Sequence, residues 1–243
     1  MAIATLGVSL ALIIALHALA EGFARLGLFS LALGIIPVLA ISQIKNWRYG
    51  LILGTFFGVV SLLTAVIKGY AGVSVWHNVI NPLVSVLPRA VVGVSCSLLS
   101  VLAYKIMDKV RERNARKENV EEDTGNETII AESNEQTELN DENTGNAFEP
   151  NRISARKVGK WTVEYLIHAV ITLVGVLLNA VGFLGMLLAF AYGETVPTGN
   201  GATFNLLYVL EFVVGTNTLI EAIVFTFLVP AIIQALKRAK VFR

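Results

Sequence analysis

One cysteine, three histidines and a charged fraction of 15% are all that 243 residues supply, and each shortage removes a class of function. A lone Cys96 closes no internal disulfide and builds no cysteine-rich metal site. His17, His77 and His168 are scattered along the chain, so no metal cluster and no cofactor is expected. The phosphate-cradling Gly-x-x-x-x-Gly-Lys-Ser/Thr loop is missing, and with it that route to ATP. Missing too are the Gly-x-Ser-x-Gly elbow of a serine hydrolase and the His-Glu-x-x-His pair of a metalloprotease. A net charge of +1, without a basic surface interleaved with aromatics, sets nucleic acid aside.

Apolar residues make up 55% of the chain and gather in six segments, at 3–20, 26–44, 49–67, 84–106, 162–191 and 204–236. Each is long enough to cross ~30 Å of hydrocarbon at about 1.5 Å per residue. In lipid the backbone must satisfy its own polar groups, and the runs lack the alternation of a membrane barrel. The expectation is therefore an all-α, polytopic membrane protein with six transmembrane helices. The first segment has no basic residue ahead of it and a second apolar run follows at once, so it is expected to stay in the mature protein.

Charge sets the orientation. With six spans, sixteen of the nineteen basic residues fall on one side: Lys45, Arg48, the ten from Lys105 to Lys160, and four after 236. Cytoplasmic loops retain Lys and Arg, which predicts cytoplasmic N and C termini. Only Arg25, Lys68 and Arg89 are left for the outer side. Between Glu118 and Asn151 stand eleven acidic residues and no basic one. That composition predicts a disordered acidic cytoplasmic linker over 108–160, flanked by basic runs that lie against anionic headgroups. Helices one to four then occupy 1–107 and helices five and six 161–243, as one membrane domain.

Function is to be sought in the polar residues of the spans, since a charge at membrane depth costs roughly 2.5–3.5 kcal/mol on insertion scales and marks a cavity or a pathway. Arg89 follows Pro88 near the start of helix four, Asn179 is in helix five, and Glu211, Asn217 and Glu221 are in helix six. Counting from Phe204 puts Asn217 about 20 Å and Glu221 about 25 Å into the last span. Asn217 and Glu221 are four apart and share a face. A cavity holding one guanidinium and neutral amides suits a small anionic, hydrogen-bond-rich ligand, because Arg grips a carboxylate with a two-point fork. A structural network, with Arg89 neutralised by Glu221 or Glu211, is the competing account.

In helix one, Gly7, Ala11 and Ala15 recur at four-residue spacing, which lets another helix approach closely. A scaffold without a ligand would use the same face. An intramembrane enzyme would need a nucleophile from Ser95, Cys96 or Ser97 and a base from Glu164 and His168. The predicted topology holds the two groups at different depths.

The run at 81–93, Asn-Pro-Leu-Val-Ser-Val-Leu-Pro-Arg-Ala-Val-Val-Gly, resembles the start of the fourth helix in vitamin-binding S components of energy-coupling factor (ECF) transporters, pantothenate-type members above all. Leu178-Asn179-Ala180-Val181-Gly182-Phe183, the stretch from Asn217 to Val224 with Pro230-Ala231-Ile232, and the glycine-spaced run at 49–60 are similar to the matching helices. The resemblance covers all six spans. It implies a six-helix, multi-pass solute-binding subunit of a prokaryotic plasma membrane, working with a transmembrane coupling subunit and two ATPase subunits that use the ATP. It also implies a vitamin held near the outer face by helices four to six, with Arg89, Asn179, Asn217 and Glu221 as contacts. Trp76 and Asn81 join them from the external loop. Gly7, Ala11 and Ala15 would dock on the coupling subunit. Pantothenate is the expected substrate; folate, pyridoxine and related vitamins are the alternatives.

Overall fold

Runs of Leu, Ile, Val and Ala with no water to hydrogen-bond their backbone fold as helices. The computed structural model describes residues 2–25, 32–69, 74–133, 151–195, 203–210 and 218–239, and these are almost wholly helical. In chain order they form α1 (Ala2–Arg25), α2 (Ile35–Ile44), α3 (Trp47–Ile67), α4 (Ser74–His77), α5 (Pro82–Ser85), α6 (Leu87–Ser133), α7 (Asn151–Ala191), α8 (Leu206–Tyr208) and α9 (Leu219–Arg238). Among the described residues five stretches are long and apolar enough to cross a membrane: Ala4–Gly22, Trp47–Ile67, Pro82–Arg113, Trp161–Ala191 and Leu219–Arg238. The chain is a multi-pass membrane protein. The chain divides into one unit of Met1–Val101 with Val163–Arg243 and a second of Leu102–Thr162.

The second predicted span is described only as the ten-residue α2, since 26–31 lie outside the described residues. Every α2 residue from Ile35 to Gln43 is buried. A helix apolar on all sides is one enclosed by neighbours rather than floated at a surface. Pro37 is tolerated because the first turn has no intrahelical partner for its missing N–H. The last carbonyls of α2 are a liability in a buried position. Ser100 Oγ donates to Gln43 O at 2.8 Å and Ser97 Oγ to Lys45 O at 3.1 Å, so α6 satisfies them.

Glycines let α3 and α6 meet backbone to backbone. A Cβ on Gly58 would stand 2.6 Å from Val86 Cα, and one on Gly93 would stand 2.6 Å from the Gly50 carbonyl carbon. Where lipid gives no hydrophobic drive, such close approach supplies the dispersion contacts that hold helices together. The ladder Gly50, Gly54, Gly58 therefore fixes the first turns of α6, which carry Arg89.

Two boundaries differ from the sequence expectation. Phe204, expected to open the sixth span, is not helical; helix is described from Leu206 and again as α9 from Leu219, with 211–217 outside the described residues. Phe204 is buried beside Val75, Val79, Leu187 and Val209 in a cluster at one end of the bundle. Its N–H donates to Glu194 O at 2.8 Å, and Gly193 N–H returns a bond to Phe204 O at 2.9 Å. Gly193 makes this turn with φ of 81°, a conformation costly for other residues. Hydrophobicity alone does not separate this packed cap from the span that follows. Glu221 lies in the first turn of α9.

The linker is the second difference. Helix α6 runs on to Ser133 and α7 begins at Asn151, so the helices enter the stretch expected to be disordered from both sides; 134–150 lie outside the described residues. Lys, Arg, Glu and Ala are good helix formers, and a polar segment continuing from a formed helix needs no new nucleus.

Candidate functional site

A cavity of about 320 Å³ opens at the end of the bundle where α1 and α3 finish and α6 and α9 begin. Arg89, Asn179 and Glu221, three of the residues expected to share a pocket, all line it, and all three are buried.

Arg89 is set by what surrounds it. Its guanidinium carbon lies 5.0 Å from the ring centre of Phe57 and 5.1 Å from that of Phe183, so two aromatic faces hold the cation between α3 and α7. One terminal nitrogen donates to Ser85 O, one turn back. Its Nε is buried without a hydrogen-bond partner among the described residues. The Oδ1 of Asn179 is in the same condition. Glu221 Oε1 accepts from the Ala32 backbone N–H at 2.6 Å, which anchors α9 to the segment leading into α2. Among the described residues no ion pair joins Arg89 to Glu221. A buried donor and a buried acceptor with nothing to bond is costly in an empty protein, by about 1–3 kcal/mol for each group. A ligand that offers an acceptor to Arg89 and a donor to Asn179 recovers that free energy.

Other predicted residues are placed differently. Asn217 and Glu211 lie outside the described residues, as does the side chain of Trp76, whose backbone belongs to α4. Asn81 caps α5: its side chain accepts from Leu83 N–H at 3.0 Å, and it is not among the cavity-lining residues. The Asn-Pro pair is thus a helix start, with Pro at the first position where no donor is lost.

The cavity also has a wall that sequence reasoning missed. His17 and Glu21 of α1 face Ser61, Thr64 and Lys68 of α3. Glu21 and Lys68 form an ion pair, and His17 Nε2 is 3.0 Å from Thr64 Oγ1. In the sequence His17 is one of three scattered histidines and Lys68 one of three outer charges. The available signal was spacing, because His17 and Glu21 are four apart and Ser61, Thr64 and Lys68 repeat at helical intervals on otherwise apolar helices. Beyond this wall, the Asn78 amide donates to Glu194 at 3.2 Å, joining the two connections at this end.

At the opposite end of the bundle His168 is fully engaged. Lys237 Nζ donates to its Nε2 at 3.0 Å, and its Nδ1 donates to Gln43 Oε1 at 2.9 Å. Gln43 Nε2 in turn donates to Thr172 Oγ1 at 3.0 Å and to Leu39 O at 3.1 Å. Glu164 pairs with Lys237 at 3.7 Å. With both ring nitrogens used, His168 is a structural tie between α2, α7 and α9 and not a base for Ser95. No group of three or more metal-ligating side chains occurs among the described residues.

Along α1, Gly7, Ala11 and Ala15 are exposed, beside exposed Val8, Leu12 and Ile14. Only 17% of the α1 apolar window is buried, against 28–39% in the other four spans, so this helix presents the most unpartnered surface. A family model described as ECF transporter, substrate-specific component, matches residues 1–233. No curated protein and no solved structure matches the chain.

Proposed function

The chain belongs to the family of ECF transporter substrate-specific components, and we propose that it is a pantothenate-type member that binds its vitamin in the cavity around Arg89. A subunit of this family binds a small solute for transport and is not an enzyme. The observation that carries the pantothenate reading is the convergence of Arg89, Asn179 and Glu221 on one cavity of about 320 Å³. Pantothenate has one carboxylate, one amide, two hydroxyls and a branched methyl-bearing centre. Arg89 takes the carboxylate through its fork. Asn179 Oδ1 and the carboxylate of Glu221 accept from the amide and a hydroxyl, and Leu184 and Leu187 face the methyl groups across the cavity. Asn217 and Trp76 add contacts by the family resemblance. The volume, near the lower end of the roughly 300–1,000 Å³ usual for ligand sites, favours a compact vitamin over folate.

Equilibrium binding of radiolabelled pantothenate to the purified protein is the direct test. Saturable binding that excess folate and pyridoxine leave intact is expected; saturable binding of one of those vitamins in its place ends the assignment.

The same membership implies a transmembrane coupling subunit and ATPase subunits as partners, and we place the docking face on Gly7, Ala11 and Ala15. Replacing Ala11 and Ala15 together with Trp fills the notch between the helices with bulk that side-chain rotation does not remove. Copurification of the coupling subunit and both ATPases is expected to fall by at least tenfold while vitamin binding persists. An intact complex removes α1 from the interface.

A further inference from the structure

The wall formed by α1 and α3 has polar groups that the contacts above leave unused. Thr64 Oγ1 donates its hydroxyl proton to Val60 O at 2.9 Å. Toward His17, 3.0 Å away, the same oxygen is therefore an acceptor, and the imidazole meets it with a proton on Nε2. In the neutral ring Nδ1 then keeps a lone pair. One turn from Thr64, Ser61 lines the cavity with no hydrogen-bond partner among the described residues. Glu21 completes this wall with negative charge, paired to Lys68.

Phe57 stands between this wall and Arg89. Its ring lies 5.9 Å from the His17 ring and 5.0 Å from the Arg89 guanidinium carbon, so one small molecule reaches both. The two poles differ in what they accept. Arg89 asks for an anion, whereas the lone pair on His17 Nδ1 welcomes an O–H donor, and the Glu21 carboxylate beside it is neutralised by the Lys68 ammonium.

We infer that His17 and Ser61 form a second ligand-binding pole, which takes the hydroxyl-bearing end of the substrate and fixes its orientation while Arg89 holds the carboxylate. This pole deepens the pantothenate reading and rests on it. His17 Nδ1 accepts one hydroxyl proton, and Ser61 Oγ donates to the oxygen of the other hydroxyl, whose own proton is the one Glu221 accepts. Apolar Ala65, Leu184 and Leu187 line the space along which the chain of the molecule lies.

The test compares pantothenate with its analogue in which both hydroxyls are replaced by hydrogen, measured by competition against radiolabelled pantothenate on the full-length protein. His17→Ala and Ser61→Ala are each expected to weaken pantothenate about fivefold, the effect of one neutral hydrogen bond, and to leave the dehydroxylated analogue unchanged. Arg89→Ala is expected to weaken both ligands. Ser61→Ala removes a single oxygen, so it decides the matter even where His17→Ala fails to fold. Equal losses for the two ligands, or pantothenate affinity unchanged in Ser61→Ala, overturn the second pole and leave the pantothenate assignment standing. A wild-type protein that binds neither ligand overturns that assignment and the pole with it.

Discussion

Arg89→Ala is expected to lower pantothenate affinity by about 2 kcal/mol, a loss of roughly 30-fold in Kd, without lowering the thermal stability of the protein. Two physical effects set these signs. In the loaded cavity the guanidinium supplies a charge-assisted pair away from bulk water, and alanine leaves the ligand carboxylate buried without a partner. Without ligand the same guanidinium is a buried cation with an unpaired Nε, so removing it relieves a desolvation cost that offsets the lost contacts with Phe57, Phe183 and the Ser85 carbonyl, and the fold is left no worse. Isothermal titration of pantothenate paired with a melting curve separates the two. Loss of stability equal to the loss of binding would make Arg89 a structural residue. Arg89→Lys is the sharper companion: it keeps the charge but not the planar fork, and it recovers only part of the affinity.

Gly54→Leu is the larger lesion to the fold. A Cβ at this position would stand 3.0 Å from the Arg89 carbonyl carbon and 3.1 Å from Ala90 Cα, and both are backbone atoms that no rotamer change moves aside. The helices α3 and α6 must part, at a cost of about 3 kcal/mol for overpacking, together with the dispersion contacts of the neighbouring glycines. The separation also shifts the first turns of α6, so vitamin binding falls with stability. Gly185→Leu is the control, since a Cβ there meets nothing within 4 Å. Melting temperatures in detergent, expected to drop by several degrees for Gly54→Leu and to hold for Gly185→Leu, check the claim. Equal melting temperatures for the two variants would refute it.

Much of the architecture is legible from hydrophobicity, because a bilayer forces long apolar runs into helices. What the runs do not encode is where a helix stops. Phe204 and Val209 are as apolar as any spanning residue, yet they belong to the cluster beneath the connecting turns and not to α9. The 26–44 run is likewise longer than α2. Arg89, Asn179 and Glu221, which line the cavity, are legible because charged or amide groups are rare in membranes and conspicuous there. His17, Ser61 and Thr64 are not, because small hydroxyls and a lone histidine also serve as packing residues, and only the meeting of α1 with α3 shows which they are. Asn81 failed for the opposite reason: an Asn before Pro is a helix start first and a contact only if its side chain is spare.

The chain of donors from Lys237 through His168 and Gln43 to Thr172 ties the floor beneath the cavity from side to side. Within this unit, a solute that enters the hollow from one end meets, among the described residues, an interlocked layer of polar side chains at the other.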